Sequence, residues 1–495
     1  MSGTAQPPQV LKREFTLWSA FAMAFAFISP IVALYAIFGF TVQAGGPASW
    51  WGFLFVTLGQ GLLALVFAQL VSRWPFEGSI YQWSRRLVGE RYGWYAGWAY
   101  MWTLAIAMAA VAYGAAGFLP VVLGIDPFST GVHFLVALAI VACATLLNTA
   151  GRRGLKIFVA LSIGAEVIGS VGVGLVLLFF HGAHPVSEIF HTAGAGDGAG
   201  GYLWSGMLAG MAFIGWAFVG FESAGAIAEE VHEPRKALPK AIILALVIIA
   251  AVVMFSALGL ILAIPDYGPV LSGQVADPVA DTITQALGAG VTRPLFILFV
   301  IGFFASLLAL QASASRMVYA FAREGTLPAS RTLARLSHGD ALPIPAIVLA
   351  GVVAGLVLAT TLVNEVYSTL VNFTSGGFFI AFCFPTLALL VSQLRGRWQP
   401  GGFTLGRWSL PLTAIASLWA VFELVNIAWP RATDLPWYQQ WAVLLMTAIV
   451  AVLGVIVQLT RRRHVAAAGV RRQAHEREHG DDEAPAPLTP ARSIA

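Results

Sequence analysis

The chain has 495 residues, of which 58% are hydrophobic and only 11% charged, against about 25% charged in a soluble domain. A mean hydropathy of +0.79 leaves far more apolar surface than a water-facing exterior tolerates, which excludes a soluble enzyme. The 28 basic and 24 acidic residues leave a net charge of +4, and its placement along the chain carries more information than its size, so no nucleic-acid partner is expected.

Taken in order, apolar runs cover 18–43, 49–72, 94–119, 131–148, 155–180, 202–228, 238–264, 293–320, 345–363, 366–394, 408–428 and 437–459. We number these stretches one to twelve. A bilayer core about 30 Å thick is crossed by roughly 20 apolar residues in helical form, because no backbone amide is left without a partner in hydrocarbon. The chain is therefore predicted to be an all-α polytopic membrane protein with 12 transmembrane helices. Lys12 and Arg13 precede the first stretch as they would in a signal peptide, but that stretch opens a whole series of spans and is read as retained. The predicted organisation is a tail at 1–16, a twelve-helix domain at 17–460 and a tail at 461–495. The final part, which includes HEREHGDDEAPAPLTPARSIA, lacks apolar periodicity and is expected to be disordered.

Short cytoplasmic loops retain Lys and Arg while the opposite side lacks them. One side of the twelve-span arrangement collects Lys12, Arg13, Arg73, Arg85, Arg86, Arg91, Arg152, Arg153, Lys156, Arg235, Lys236, Lys240, Arg323, Arg331, Arg335, Arg395, Arg397, Arg407 and 461–463. The other side has Arg293 and Arg431. Both termini are therefore expected in the cytoplasm, with the chain in the cytoplasmic (inner) membrane. Cys143 and Cys383 both lie in apolar runs and imply neither a disulfide framework nor a metal cluster, so no cofactor or metal is expected.

Two stretches carry signs of a break. In the first, Ser29-Pro30 interrupts Phe27-Ile28 and Ile31-Val32, where proline removes an amide donor and disfavours helix in its predecessor. In the sixth, Gly215 and Gly220 precede Phe221-Glu222-Ser223, which places flexibility and a carboxylate in an apolar run. Substrate sites of transporters lie where spanning helices break, and an inverted repeat would put one break at the start of each half. Kinks and close packing are the competing explanation for each break taken alone.

Three segments carry a resemblance to a family. They are GPASWWGFLFVTLGQGLLALVFAQLVSRWPFEGSIYQWSRRL from Gly46, GFESAGAIAEEVHEPRKALPKA from Gly220 and QASASRMVYAFAREGTLP from Gln311. In order and spacing they resemble the amino acid–polyamine–organocation (APC) permeases, and the second and third look most like the members that include GABA and choline permeases. The resemblance implies the leucine-transporter-type fold, a 5+5 inverted repeat with helices one and six broken: repeat one at about 17–181, repeat two at about 202–394 and appended helices at about 408–460. There are two departures. Ile28-Ser29-Pro30-Ile31 replaces the family's Gly-Ser-Gly-like break, and Ser79 follows Gly78 where a second glycine is usual.

The resemblance also implies roles for residues. A substrate carboxylate would meet free amides at Ile28, Ser29 and Ile31, and an ammonium would meet carbonyls around Trp216, Val219 and Gly220. Trp216 matches an aromatic residue lying over the substrate, suited to cation–π contact and gating; packing is its other reading. Gln311 corresponds to a substrate-facing part of the eighth helix, with an interhelical hydrogen bond as the alternative. From burial cost alone, Glu222 is a candidate for carrying the coupling proton or shaping the ammonium site and Glu166 for binding a coupling proton or sodium, or else they are structural acceptors. Several relatives carry a lysine on the fifth helix, where this chain has none inside the membrane. Tyr100, Thr103, Asn372, Thr374 and Gly376-Gly377 are further candidate lining residues, while Glu423 and Asn426 read as structural. The charges from Glu229 to Lys236 either form an inner gate with Arg316 or Arg323 or are solvated loop charges.

The predicted function is that of a secondary active transporter moving an amino acid or related amine by alternating access, coupled to H⁺ or Na⁺ or working by exchange. A permease for a choline- or ethanolamine-like cation is the alternative suggested by the altered first break. A nontransporting nutrient receptor on the same fold is the alternative of another class. The chain has no GxxxxGK[ST] loop for ATP and no constellation of His, Cys or paired carboxylates for an enzyme.

Overall fold

The computed structural model describes residues 16–198, 200–275, 277–337, 341–362, 367–431 and 437–478. The predicted N-terminal tail up to residue 15, with Lys12 and Arg13, and the C-terminal residues 479–495 lie outside the described residues, as does the junction of the ninth and tenth stretches at 363–366.

Among the described residues the chain is all-helical, and eleven helices are long and apolar enough to cross a membrane. They are Leu17–Tyr35, Pro47–Arg73, Glu90–Leu123, Thr130–Thr149, Arg153–Phe180, Pro234–Ala263, Ala289–Arg323, Ile344–Leu362, Tyr367–Leu394, Gly406–Ala428 and Ala442–Thr460. Each falls on one of the predicted stretches. The sixth stretch is the exception: its composition is continuous but its backbone is not. A short apolar helix, Leu203–Ile214, gives way to a turn and then to a 3-10 segment, Phe221–Glu230. The helix that starts at Ala442 runs on to Glu478, so 461–478 is helical where the sequence suggests an unstructured tail.

The first and eighth helices are mostly buried, whereas the fourth and twelfth are mostly exposed. Exposed Leu146, Phe180, Leu418 and Ile449 belong to surfaces that suit hydrocarbon rather than water. Small residues bring the interior helices together. A Cβ on Gly259 of the seventh helix would lie 2.7 Å from the carbonyl oxygen of Gly174 on the fifth, an approach only glycine permits.

Candidate functional site

The first break follows from its sequence. Pro30 has no N–H to give to the preceding turn, and it starts a new helix, Pro30–Tyr35, at a position where a missing donor costs nothing. Ser29 takes φ 51° and caps that helix, its Oγ accepting from the Val32 N–H at 3.2 Å. The Ile31 amide and the Phe27 carbonyl, which a continuous helix would join, find partners elsewhere. The Ile31 N–H donates to Glu166 Oε2 at 2.9 Å, and the Ser306 hydroxyl donates to the Phe27 oxygen at 2.7 Å. Glu166 also accepts from the hydroxyls of Ser29 and Ser170. A π-helical turn, Val167–Gly172, follows Glu166 at once, and the Gly169 carbonyl on it accepts from the Tyr35 hydroxyl.

The second break has the same logic with different parts. Gly220 has φ +109°, and a Cβ there would lie 2.3 Å from Phe27 Cδ1, so glycine is required both by the backbone and by the neighbour. The Gly220 N–H donates to Glu222 Oε2 at 3.0 Å, and the Tyr100 hydroxyl donates to Glu222 Oε1 at 2.9 Å. Each break is thus closed by a buried carboxylate whose described hydrogen-bond partners are neutral donors. The Trp216 indole N–H donates to the Val32 carbonyl at 3.4 Å, which ties one break to the other.

Between the breaks lies a cavity of about 20 Å³, lined by Phe27, Ile28, Val32, Ala107, Val111, Trp216, Val219, Ser306, Leu310 and Phe378. It holds about one water, because a site for one needs roughly 10–15 Å³. A second cavity of about 270 Å³ lies on the side away from the basic loops, with Tyr35, Phe40, Gln43, Tyr113, His133, Asp277 and Tyr367 on its wall.

Of the residues expected to meet a substrate, Ile28, Trp216 and Val219 line the central cavity, and Gly220 and Glu222 adjoin it. Ser29 and Ile31 turn instead toward the fifth helix, with their donors given to Glu166. Gln311 also faces away. Its amide donates to Thr145 Oγ1 at 2.6 Å and to the Ile347 carbonyl at 3.2 Å, and its oxygen accepts from Asn148 at 2.9 Å. It is an interhelical tie joining the fourth, eighth and ninth helices. Thr103 packs against Gly377, where a Cβ would lie 2.4 Å from its Oγ1. The Thr374 hydroxyl donates to the carbonyl of Leu370. Asn426 donates to the Leu208 carbonyl at 3.0 Å, attaching the eleventh helix to the sixth stretch, and to Glu423 at 3.3 Å. Sequence reasoning did not single out Ala107, Val111, Ser306, Leu310 and Phe378, which sit in apolar runs with no local mark.

At the basic end the charges pair. Arg316 Nε donates to Glu230 at 3.0 Å, and Arg323 makes two bonds to Glu229, at 3.1 and 3.2 Å. Arg85 pairs with Glu324, which also accepts from the Tyr81 hydroxyl. Of the run from Glu229 onward, the first two residues are thus ion-paired with the eighth helix, while His232, Glu233, Arg235 and Lys236 are exposed.

The structure is that of a polytopic helical membrane protein with two interrupted helices meeting around a buried cavity, an arrangement that transporters use for their substrate sites. Residues 15–456 match the amino acid permease family of the APC superfamily, and the chain belongs to that family. It is 30% identical to the branched-chain amino acid permease BcaP of Lactococcus lactis subsp. cremoris over 70% of this chain and 75% of that one. It is 24% identical to the amino-acid permease BAT1 of Arabidopsis thaliana, covering 86% and 87% of the two chains. A vacuolar cationic amino acid transporter 2 of the same plant is 30% identical over 70% of this chain and 55% of its own length. These relatives give the choline-like alternative no support.

Proposed function

We propose that the chain carries a neutral amino acid with an aliphatic side chain across the cytoplasmic membrane, by alternating access and with proton coupling. In this reading the interrupted sixth stretch also crosses the membrane and brings the spans to twelve, the two halves form the inverted repeat, and the basic loops and both termini are cytoplasmic. One observation carries the substrate class: the cavity between the breaks is walled by aliphatic and aromatic groups, with Ser306 as its only hydroxyl and no charged side chain. Such a wall gives a Lys, Arg or Glu side chain nothing to compensate its lost hydration. The similarity to a branched-chain permease points the same way. Ile28, Trp216, Val219 and Gly220 surround the substrate backbone. Glu166 and Glu222, held by neutral donors alone, are the groups a proton can neutralise.

Uptake into proteoliposomes tests this. Leucine, isoleucine and valine are expected to accumulate when the outside is acid relative to the lumen, with lysine, glutamate and choline excluded. Binding without accumulation would instead assign the chain to the nontransporting receptors. Ala107→Leu, which adds bulk to a cavity of about 20 Å³, is expected to raise the KM for leucine at least about tenfold and that for alanine less, since a methylene is worth about 1–3 kcal/mol in such pockets. Gln311→Leu is expected to lower stability by about 1–3 kcal/mol, by leaving Asn148 and Thr145 without their partner. Thermal unfolding should report that loss, with the leucine KM changed less than about twofold.

A further inference from the structure

After Arg73 the chain turns through Pro75-Phe76-Glu77-Gly78 before the next helix, Ser79–Val88. This turn places Glu77 inside the protein. The residue is fully buried, and neither carboxylate oxygen has a hydrogen-bond partner among the described residues. Its own N–H donates to Glu229 Oε1 at 3.3 Å. The charged and titratable groups around it are Glu229 and Glu230 on the 3-10 segment of the sixth stretch, and Arg316, Tyr319 and Arg323 on the eighth helix.

Both guanidiniums are committed. Arg323 holds Glu229 with two bonds, and Arg316 holds Glu230 and donates to the Ala312 carbonyl at 3.2 Å. Tyr319 is neutral. Three carboxylates thus share two cations, with Glu77, Glu230 and Arg316 buried and the Arg323–Glu229 pair partly exposed at the edge of the cluster. An ionised carboxylate buried without a donor is strongly disfavoured, and one bound proton removes that penalty. Burial first, then Glu229 and Glu230, raise the Glu77 carboxyl well above the ordinary carboxylate range, and the two arginines offset only part of this.

We propose that Glu77 is a proton-binding site that latches the cytoplasmic gate, holding a proton while the ion-pair cluster is closed and releasing it to the cytoplasm when opening admits water. The sign follows from linkage. The closed state binds the proton more tightly than the hydrated open state, so acid favours closure, and that contribution is lost as pH rises through the closed-state value. This proton is distinct from the coupling proton proposed for Glu166 and Glu222, because those carboxylates close the two breaks whereas Glu77 lies in the loop beyond Arg73, beside the ion pairs of Arg316 and Arg323. Glu77 would report cytoplasmic pH and slow the permease when the cytoplasm acidifies.

The inference rests on the permease reading and its orientation, so its test reads the gate without requiring uptake. The full chain is placed in lipid nanodiscs with Cys143→Ser and Cys383→Ser. Ser223→Cys then puts one thiol behind the gate, at a position 4% exposed. Its modification by an impermeant maleimide is followed from about pH 6 to about pH 8, with Glu77 intact and with Glu77→Gln, and the ratio of the two rates cancels the ionisation of the thiol itself. That ratio is expected to rise at least about fivefold with pH; a flat ratio overturns the proposal. As a second variant, Glu229→Gln frees Arg323 to pair with Glu77 and should move the midpoint down by at least about one pH unit. A midpoint that stays in place also overturns it. Labelling that responds to pH in a protein that transports nothing counts against the permease reading alone, and a flat ratio in a protein that accumulates leucine counts against the latch alone.

Discussion

Gly220→Ala is expected to cut uptake at least about tenfold and to lower the melting temperature, because two separate costs fall on one added methyl group. The backbone at Gly220 has φ +109°, where a residue with a Cβ is penalised by about 1–2 kcal/mol. The methyl would also lie 2.3 and 2.5 Å from Phe27 Cδ1 and Cε1 and 3.2 Å from Ile28 Cγ1. Crowding of that kind costs about 1–3 kcal/mol when side chains leave their rotamers. Phe27 and Ile28 both line the central cavity, so relief of the clash disturbs the place proposed to hold substrate. Gly61→Ala is the internal control. It lies within the helix Trp50–Arg73, and a Cβ there meets nothing within 4 Å, so the variant should be neutral or slightly stabilised by alanine's better helix propensity. Wild-type uptake in Gly220→Ala would show that transport does not depend on the break in the sixth stretch.

Glu166→Gln is expected to separate two kinds of transport. The carboxylate accepts from the Ile31 N–H and from the hydroxyls of Ser29 and Ser170. A carboxamide keeps one acceptor oxygen and adds two N–H groups to a site already full of donors, so at least one donor is stranded at about 1–3 kcal/mol. The amide also takes up no proton in the working pH range. Accumulation driven by a pH gradient should therefore fall at least about tenfold, while exchange of internal for external substrate, which needs no net proton movement, stays within about threefold of the wild type. Equal loss of both would make Glu166 a structural cap only, and unchanged accumulation would remove it from coupling altogether.

The two breaks were legible because proline and glycine act locally. Pro30 lacks its N–H whatever surrounds it, and Gly220 tolerates a left-handed backbone on its own account. The irregular sixth stretch shows the limit of the apolar count, since a run long enough to span by composition is divided here into a helix, a turn and a 3-10 segment. Glu166 and Glu222 stood out as carboxylates in hydrocarbon, but what they hold did not. Glu166 reaches Ile31 across 135 positions of sequence, and Glu222 reaches Tyr100 across 122. Gln311 shows the same limit from the other side. Its place on the eighth helix was readable, yet which neighbour it faces depends on how the fourth and ninth helices pack there. Nothing in the sequence around Glu77 marks it, and only its burial beside two occupied arginines sets it apart.

Composition and the spacing of apolar runs alone determined that this is a multi-pass helical membrane protein, because the bilayer accepts so few ways of satisfying a backbone. They also located the interruptions, since a missing donor or a missing side chain acts within its own turn. The tertiary structure decided which groups close those interruptions, which side chains wall the cavity and which carboxylate is left over among the arginines. Those outcomes depend on the rotation of each helix about its axis and on its neighbours, and neither is encoded within any single stretch.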